Sequence, residues 1–162
     1  MVLDINRFMQ EAIKLATLQN TLWPFSAILV NDIDEIVATA VNNAQISPIL
    51  HAEVNVIHQY ALRHSQPDLS HLTLFTTAEP CPMCQSAIYW AKIRTVYFGS
   101  SIPFLNNLWG RQITMRADEI IDKTPSWYKS STKLYGKILE DECNQLFLHA
   151  KKLQSDLIVI KE

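Results

Sequence analysis

The sequence predicts an α/β domain in which a sheet is covered by helices on both faces. Three observations predict it. Segments with helical periodicity alternate with short β-branched segments in the order α-β-β-α-β-α-β, followed mostly by helix. The 162 residues suit one domain, at roughly 150 residues per domain. Apolar residues make up 48% and charged residues 19%, enough to fill a core without disulfides and too apolar for a disordered chain.

Each element has its own signal. Ile5, Phe8, Met9, Ala12, Ile13 and Ala16 recur at helical spacing over residues 5–19. Trp23-Pro24 ends that pattern, because proline disfavours helix for its predecessor. Phe25–Asn31 and Glu35–Val41 are apolar and β-branched, with Asp32-Ile33-Asp34 between them, which reads as a hairpin. Asn42–Leu50 is a polar loop containing Pro48, and Ala52–Arg63 reads as a helix. Leu72–Thr77 is a short strand. Pro82–Lys92 is a helix opened by proline, which suits the first helical turn. Ile93–Gly99 is another strand. Residues 101–111 read as a loop, Arg116–Asp122 as a short helix, and residues 138–153 as a helix with Ile138, Leu139, Cys143, Leu146, Phe147 and Ala150 on one stripe.

Composition narrows the function classes. No run of about 18 apolar residues occurs, which argues against a membrane span. The N-terminus lacks the pattern of a secretory signal, so the cytoplasm is the expected location. Fourteen Lys and Arg against sixteen Asp and Glu give a net charge of −2, without the basic excess of a dedicated nucleic-acid binder. Three cysteines, Cys81, Cys84 and Cys143, point to thiol or metal chemistry rather than a disulfide frame.

Two short segments carry the chemistry: His51-Ala52-Glu53 and Pro80-Cys81-Pro82-Met83-Cys84. One imidazole and two thiolates suit zinc, which takes nitrogen and sulfur in tetrahedral geometry. Cys81 and Cys84 are three residues apart at a helix start, so their side chains can converge. The partial positive charge of a helix N-terminus favours their thiolate forms. Three protein ligands leave a fourth position for water, the mark of a catalytic zinc, and zinc lowers the pKa of such a water toward neutrality. Glu53, two residues from His51, is placed to take and return a proton without being a ligand. The competing reading is a closed structural zinc whose fourth ligand is His58, His64, His71 or Cys143, which would leave Glu53 without a purpose. His58, seven residues after His51, could share its helix face. The ordinary expectation for His58, His64, His71 and His149 is a solvated or core histidine, and for Cys143 a core position on its apolar stripe.

At these motifs the chain resembles the cytidine deaminase-like superfamily of zinc-dependent hydrolases, over residues 5–99. Glu79-Pro80-Cys81-Pro82-Met83-Cys84 followed by Ala87-Ile88-Tyr89-Trp90-Ala91 is most similar to bacterial guanine deaminases, whose relatives include cytosine deaminases and tRNA adenosine deaminases. The resemblance implies a three-layer α/β/α sandwich with a mixed central sheet, one deaminase domain over residues 1–162, a homodimer, and Zn2+ as cofactor. It implies His51, Cys81 and Cys84 as metal ligands and Glu53 as the catalytic proton shuttle. It also implies substrate contacts: Phe25 lining a base pocket, Asn42 hydrogen-bonding the ring, the Ala52 backbone N–H donating to the base, and Trp90 reaching the pocket of a neighbouring subunit. Read without the resemblance, Phe25 is a strand core residue, Asn42 a turn residue beside a second asparagine at Asn43, and Trp90 a helix core residue.

The sequence also departs from the guanine deaminase pattern. The loop before His51 is about two residues shorter and carries Ser47-Pro48 where DPTA is usual, and Ser26 stands where glycine is common. After Gly99 that family has an acid-rich catalytic segment, whereas Ser100–Ala117 here contains Arg111 and Arg116 and no acid. The expected reaction is hydrolytic deamination of a free nucleobase or nucleoside, with a purine such as guanine first. A tRNA adenosine deaminase is the alternative. Lys123, Lys129, Lys133 and Lys137, interleaved with Trp127, Tyr128 and Tyr135, could hold phosphates and stack bases, or simply form a solvated surface. Cytosine as substrate, and a non-catalytic zinc module, are lesser readings.

Overall fold

The computed structural model describes residues 3–65, 67–125 and 132–159. Helix α1 spans Ile5–Gln19; the Asp4 carboxylate caps it, accepting from the Arg7 N–H at 3.1 Å. Its buried face is Phe8, Met9, Ala12 and Ala16. Strands β1 (Ser26–Val30) and β2 (Ile36–Val41) form the expected antiparallel hairpin. The Asn31 side chain organises its turn, accepting from the N–H groups of Ile33 and Glu35 at 3.2 and 2.9 Å. Helix α2 (Ala52–Leu62), β3 (Thr73–Ala78), α3 (Pro82–Trp90) and β4 (Thr95–Ser100) follow as the spacing predicts.

The sheet has the order β2-β1-β3-β4-β5, where β5 is Lys133–Tyr135. β1 pairs antiparallel with β2 and β3, while β3, β4 and β5 run parallel, so the sheet is mixed. Successive side chains on a strand point to opposite faces. Ala27, Leu29, Leu74 and Val96 accordingly join the core under α2 and α3, with Ala52, Val56, Tyr60 and Ile88. Ile28, Val30 and Phe75 join the core under α1, with Phe8, Met9, Ala12 and Cys143. Cys143 comes from α6 (Glu140–Val159), which packs on β4. The architecture is therefore the expected α/β/α sandwich. Gly99 on β4 makes the α6 contact possible: a Cβ there would lie 2.2 Å from Cys143 Sγ and 2.9 Å from the Thr77 carbonyl oxygen.

Beyond Gly99 the structure corrects the sequence reading. Residues 102–109, expected as loop, form helix α4 (Ile102–Trp109). Ser101 caps it, its hydroxyl accepting from the Phe104 N–H at 3.3 Å, and Gly110 ends it in the left-handed region at φ 64°. Ile102 and Leu105 are buried, and Leu105 packs with Ala78 and with Phe147 of α6, so tertiary packing holds a helix too short to be stable alone. Strand β5, not expected, is three residues held on the β4 edge. Helix α5 (Ala117–Asp122) matches its expected position, and α6 runs to Val159 rather than ending at 153. Trp90 is 64% exposed at the end of α3, which corrects the helix-core position read without the resemblance. Among the described residues, no helix is long and apolar enough to cross a membrane. Lys129, Trp127 and Tyr128 of the cationic segment lie outside the described residues.

Candidate metal centre and cavity

The two motif segments meet at the ends of two neighbouring helices. His51 is the N-cap of α2 and Cys81 the N-cap of α3, both with extended backbone. Pro82 opens α3 without needing an N–H partner, and Cys84 follows in its first turn. His51, Cys81 and Cys84 place one donor atom each within 4.8 Å of one another. Cys81 Sγ lies 3.6 Å from His51 Nδ1 and 3.6 Å from Cys84 Sγ. On a tetrahedral zinc, with Zn–S near about 2.3 Å and Zn–N near about 2.05 Å, sulfurs stand about 3.8 Å apart and sulfur to nitrogen about 3.6 Å. The donor set and its spacing both fit the ion.

The protonation pattern shows how strongly these groups interact. Hydrogen bonding with the Cys84 thiol, and then with His51, pulls the Cys81 thiol down to about 4. The Cys84 thiol is pushed up, first by its bond to Cys81 and then by burial. Contact with Cys81 raises His51 above the ordinary imidazole value, against the opposing effect of burial. A thiolate beside an imidazole and a second thiol is a donor cluster suited to a cation.

Glu53 stands beside this group in the first turn of α2, 4% exposed. The Thr76 hydroxyl of β3 donates to Glu53 Oε1 at 2.8 Å. Burial raises the Glu53 carboxyl above the ordinary glutamate value, with the Cys81 charge adding to the effect. A shielded carboxylate of this kind is suited to moving protons. His58, His64, His71 and His149 are exposed, and Cys143 is buried in the other core layer; none joins the three-donor group. His64 bonds and stacks on Tyr60 instead. The closed four-ligand site is thus not formed by the residues considered for it.

A cavity of about 690 Å³ opens over the donors. His51, Glu53 and Cys81 line its floor, and Phe25 and Asn42 line it as well. Asn42 is held at the end of β2 by its N–H, which donates to the Phe25 carbonyl at 2.9 Å. Ser26, where glycine was the family expectation, donates its hydroxyl to the Ala12 carbonyl at 2.6 Å and so costs the strand nothing in unpaired polarity. Ala52 is buried between His51 and Glu53 and is not among the cavity-lining residues. Trp90 lies outside the cavity of its own chain.

Sequence reasoning missed three contributors. Trp23 and Trp109 build an aromatic wall, with ring centroids 5.7 Å apart and Trp109 6.3 Å from Phe25. Trp109 belongs to α4, so reading that segment as loop hid it. The Trp109 indole donates to Gln154 Oε1 at 3.2 Å, and Gln154 Nε2 donates to the Leu22 carbonyl at 2.5 Å, so α6 braces both tryptophan segments. Glu79 also lines the cavity and is 3% exposed. The Glu-Pro-Cys sequence was its only signal. Arg111, after the Gly110 turn, is the one charged side chain that residues 100–117 send to the cavity lining.

Comparison with known proteins places this geometry. A family model, the cytidine and deoxycytidylate deaminase zinc-binding region, matches residues 3–100. The guanine deaminase of Bacillus subtilis is 39% identical over 79 residues, 48% of this chain and 50% of that protein. A tRNA-specific adenosine deaminase of Streptococcus pyogenes is 39% identical over 98 residues, 58% of this chain and 61% of that protein. The chain therefore spans between half and two thirds of the length of these curated relatives. The solved guanine deaminase of Nitrosomonas europaea superposes with a TM-score of 0.79 at 18% identity, covering 94% of this chain and 87% of that one, a likeness of fold.

Proposed function

The chain belongs to the cytidine and deoxycytidylate deaminase zinc-binding family, and from that premise we propose that it is a zinc-dependent hydrolytic deaminase of a free nucleobase or nucleoside, a purine such as guanine first. One observation carries the reading: a buried carboxylate, Glu53, held by Thr76 beside a three-donor metal group on the floor of a cavity. Such an acid is superfluous in a structural metal site and required in a hydrolytic one.

His51, Cys81 and Cys84 would hold the zinc, which would supply a water of lowered pKa and a fixed positive charge. Glu53 accepts one proton of the attacking water and delivers it to the ring nitrogen, then takes the second proton from the hydroxyl now on the ring carbon and passes it to the departing amine. Water and the amino-heterocycle become ammonia and the keto base. Phe25 packs on the ring and Asn42 hydrogen-bonds its edge, whereas the Ala52 N–H, expected to donate to the ring, belongs to a buried residue outside the cavity lining and would need the ring to press in between His51 and Glu53. Trp90, exposed on α3, serves the cavity of a second copy in a homodimer in the cytoplasm.

The test is ammonia release by the zinc-loaded protein across guanine, cytosine, adenine, their nucleosides and a tRNA anticodon stem-loop. Glu53→Gln should retain zinc and lose turnover; full activity in that variant would remove the role given to Glu53. A second reading, tRNA adenosine deamination, is favoured by the longer match to the Streptococcus pyogenes protein and by Lys133, Tyr135 and Lys137 on the surface. Salt-dependent binding of the stem-loop with release from it alone would establish that reading, and no binding at low salt would exclude it.

A further inference from the structure

The metal-binding segment and the cavity wall are joined at one buried side chain. Glu79 follows the end of β3 and precedes Cys81 by two residues. Its own N–H donates to the Ser100 carbonyl at 2.8 Å. Its carboxylate accepts from the Ile102 N–H at 2.9 Å through Oε2 and from the Ala117 N–H at 3.1 Å through Oε1. Arg116 Nε donates to both oxygens, at 2.7 and 2.9 Å. Three donors from two distant segments therefore converge on one carboxylate. Ile102 opens α4, and α4 carries Leu105 and Trp109 into the cavity lining.

We propose that Glu79, clamped by Arg116, is the positioning residue that sets the α4 wall of the cavity at its working distance from His51, Glu53 and Cys81. The chemistry requires a carboxylate. Both oxygens face N–H donors, so the amide of a glutamine would turn its NH2 toward a donor in either orientation. The Arg116 guanidinium balances the buried charge while its side chain stays 38% exposed. The wall cannot shift without breaking charge-assisted hydrogen bonds that water cannot replace at a 3% exposed site. A residue that only supported folding would act differently. Its loss would lower the amount of working enzyme, and so the apparent kcat, while leaving KM alone. A displaced wall changes KM at constant kcat.

The experiment compares the full-length, zinc-loaded wild type with Glu79→Gln, Arg116→Ala and Arg116→Lys. Amide hydrogen exchange is read at Ile102 and Ala117, with Ala12 in α1 as an internal reference. Zinc content, kcat and KM are measured with guanine. The kinetic arm rests on the deaminase reading; the exchange arm does not. Loss of a charge-assisted bond predicts at least about tenfold faster exchange at both amides and a KM raised about tenfold, with kcat per bound zinc within about twofold. Arg116→Ala should show the same pattern more weakly, and Arg116→Lys should fall between it and wild type. If Glu79→Gln does not fold, the half-exposed Arg116 variants carry the test. Wild-type exchange at Ile102 and Ala117 in Arg116→Ala overturns the proposal, as does a fall in kcat with KM unchanged. If the wild type does not turn over guanine, guanine fails as the substrate and the exchange result still decides this proposal.

Discussion

Replacing Thr76 with valine removes one atom's worth of chemistry from the candidate site. Thr76 is fully buried, and its hydroxyl is the 2.8 Å donor to Glu53 Oε1. Valine has nearly the same shape, so packing against β1 and β4 is retained. A hydrogen bond to a charged group contributes about 1.5–3 kcal/mol. That bond favours the ionised form of Glu53, and burial already favours the neutral one. Losing it therefore raises the Glu53 pKa further. As the proposed base Glu53 would work only when ionised, so its contribution would be present above its pKa and lost as pH falls through it. The acidic limb of the kcat/KM profile should therefore move to higher pH. Below the limb the rate falls about 10- to 100-fold, and on the alkaline side it returns to near the wild-type value. The assay is ammonia release against pH for wild type, Thr76→Val and Thr76→Ser, the serine keeping the hydroxyl. An acidic limb that stays in place in the valine variant, with zinc content unchanged, would refute the proton-shuttle reasoning.

Other outcomes follow from the same geometry. Gly99→Ala drives a methyl into Cys143 and the Thr77 carbonyl, and should destabilise the fold by about 1–3 kcal/mol. Thermal melting would show it as a drop of about 2–4 °C per kcal/mol, and adding Cys143→Ala should recover part of the loss. In metal-free protein the Cys81 thiol, held at about 4, stays ionised at pH 6 and should alkylate there with iodoacetamide. Burial pushes Cys143 up to about 12, so it should not react. Mass spectrometry would check both, and zinc loading should protect Cys81.

The sequence was most legible where local signals are dense. Residues 5–100 carry long periodic segments, a proline at the first turn of α3 and two motifs whose donors sit at helix starts, so both the element order and the donor group could be read directly. Phe25 and Asn42 were legible only as alternatives, because a strand end and a turn demand similar residues; the cavity that they line is a tertiary fact. Helix α4 was hidden by its eight residues, too few for a period, although Ser101 and Gly110 mark its two ends. β5 is three residues whose only reason to be extended is the β4 edge beside them. Glu79 could not have been assigned its partners, since they lie 23 and 37–38 residues along the chain.

The brace from α6 to the tryptophan wall has a consequence for how such a protein can diversify. The donors and the buried Glu53 come from the first hundred residues, while Trp109 and the residues that tie it down come from the rest. Lys151 adds a second tie, donating to the Leu108 carbonyl at 2.6 Å. The donor group and much of the cavity lining thus come from one stretch of the chain, and the α4 part of the wall from another. Substitutions in α4 or α6 can reshape that part of the wall without touching the donor group, and a lineage could change what the cavity admits while the donors stayed constant.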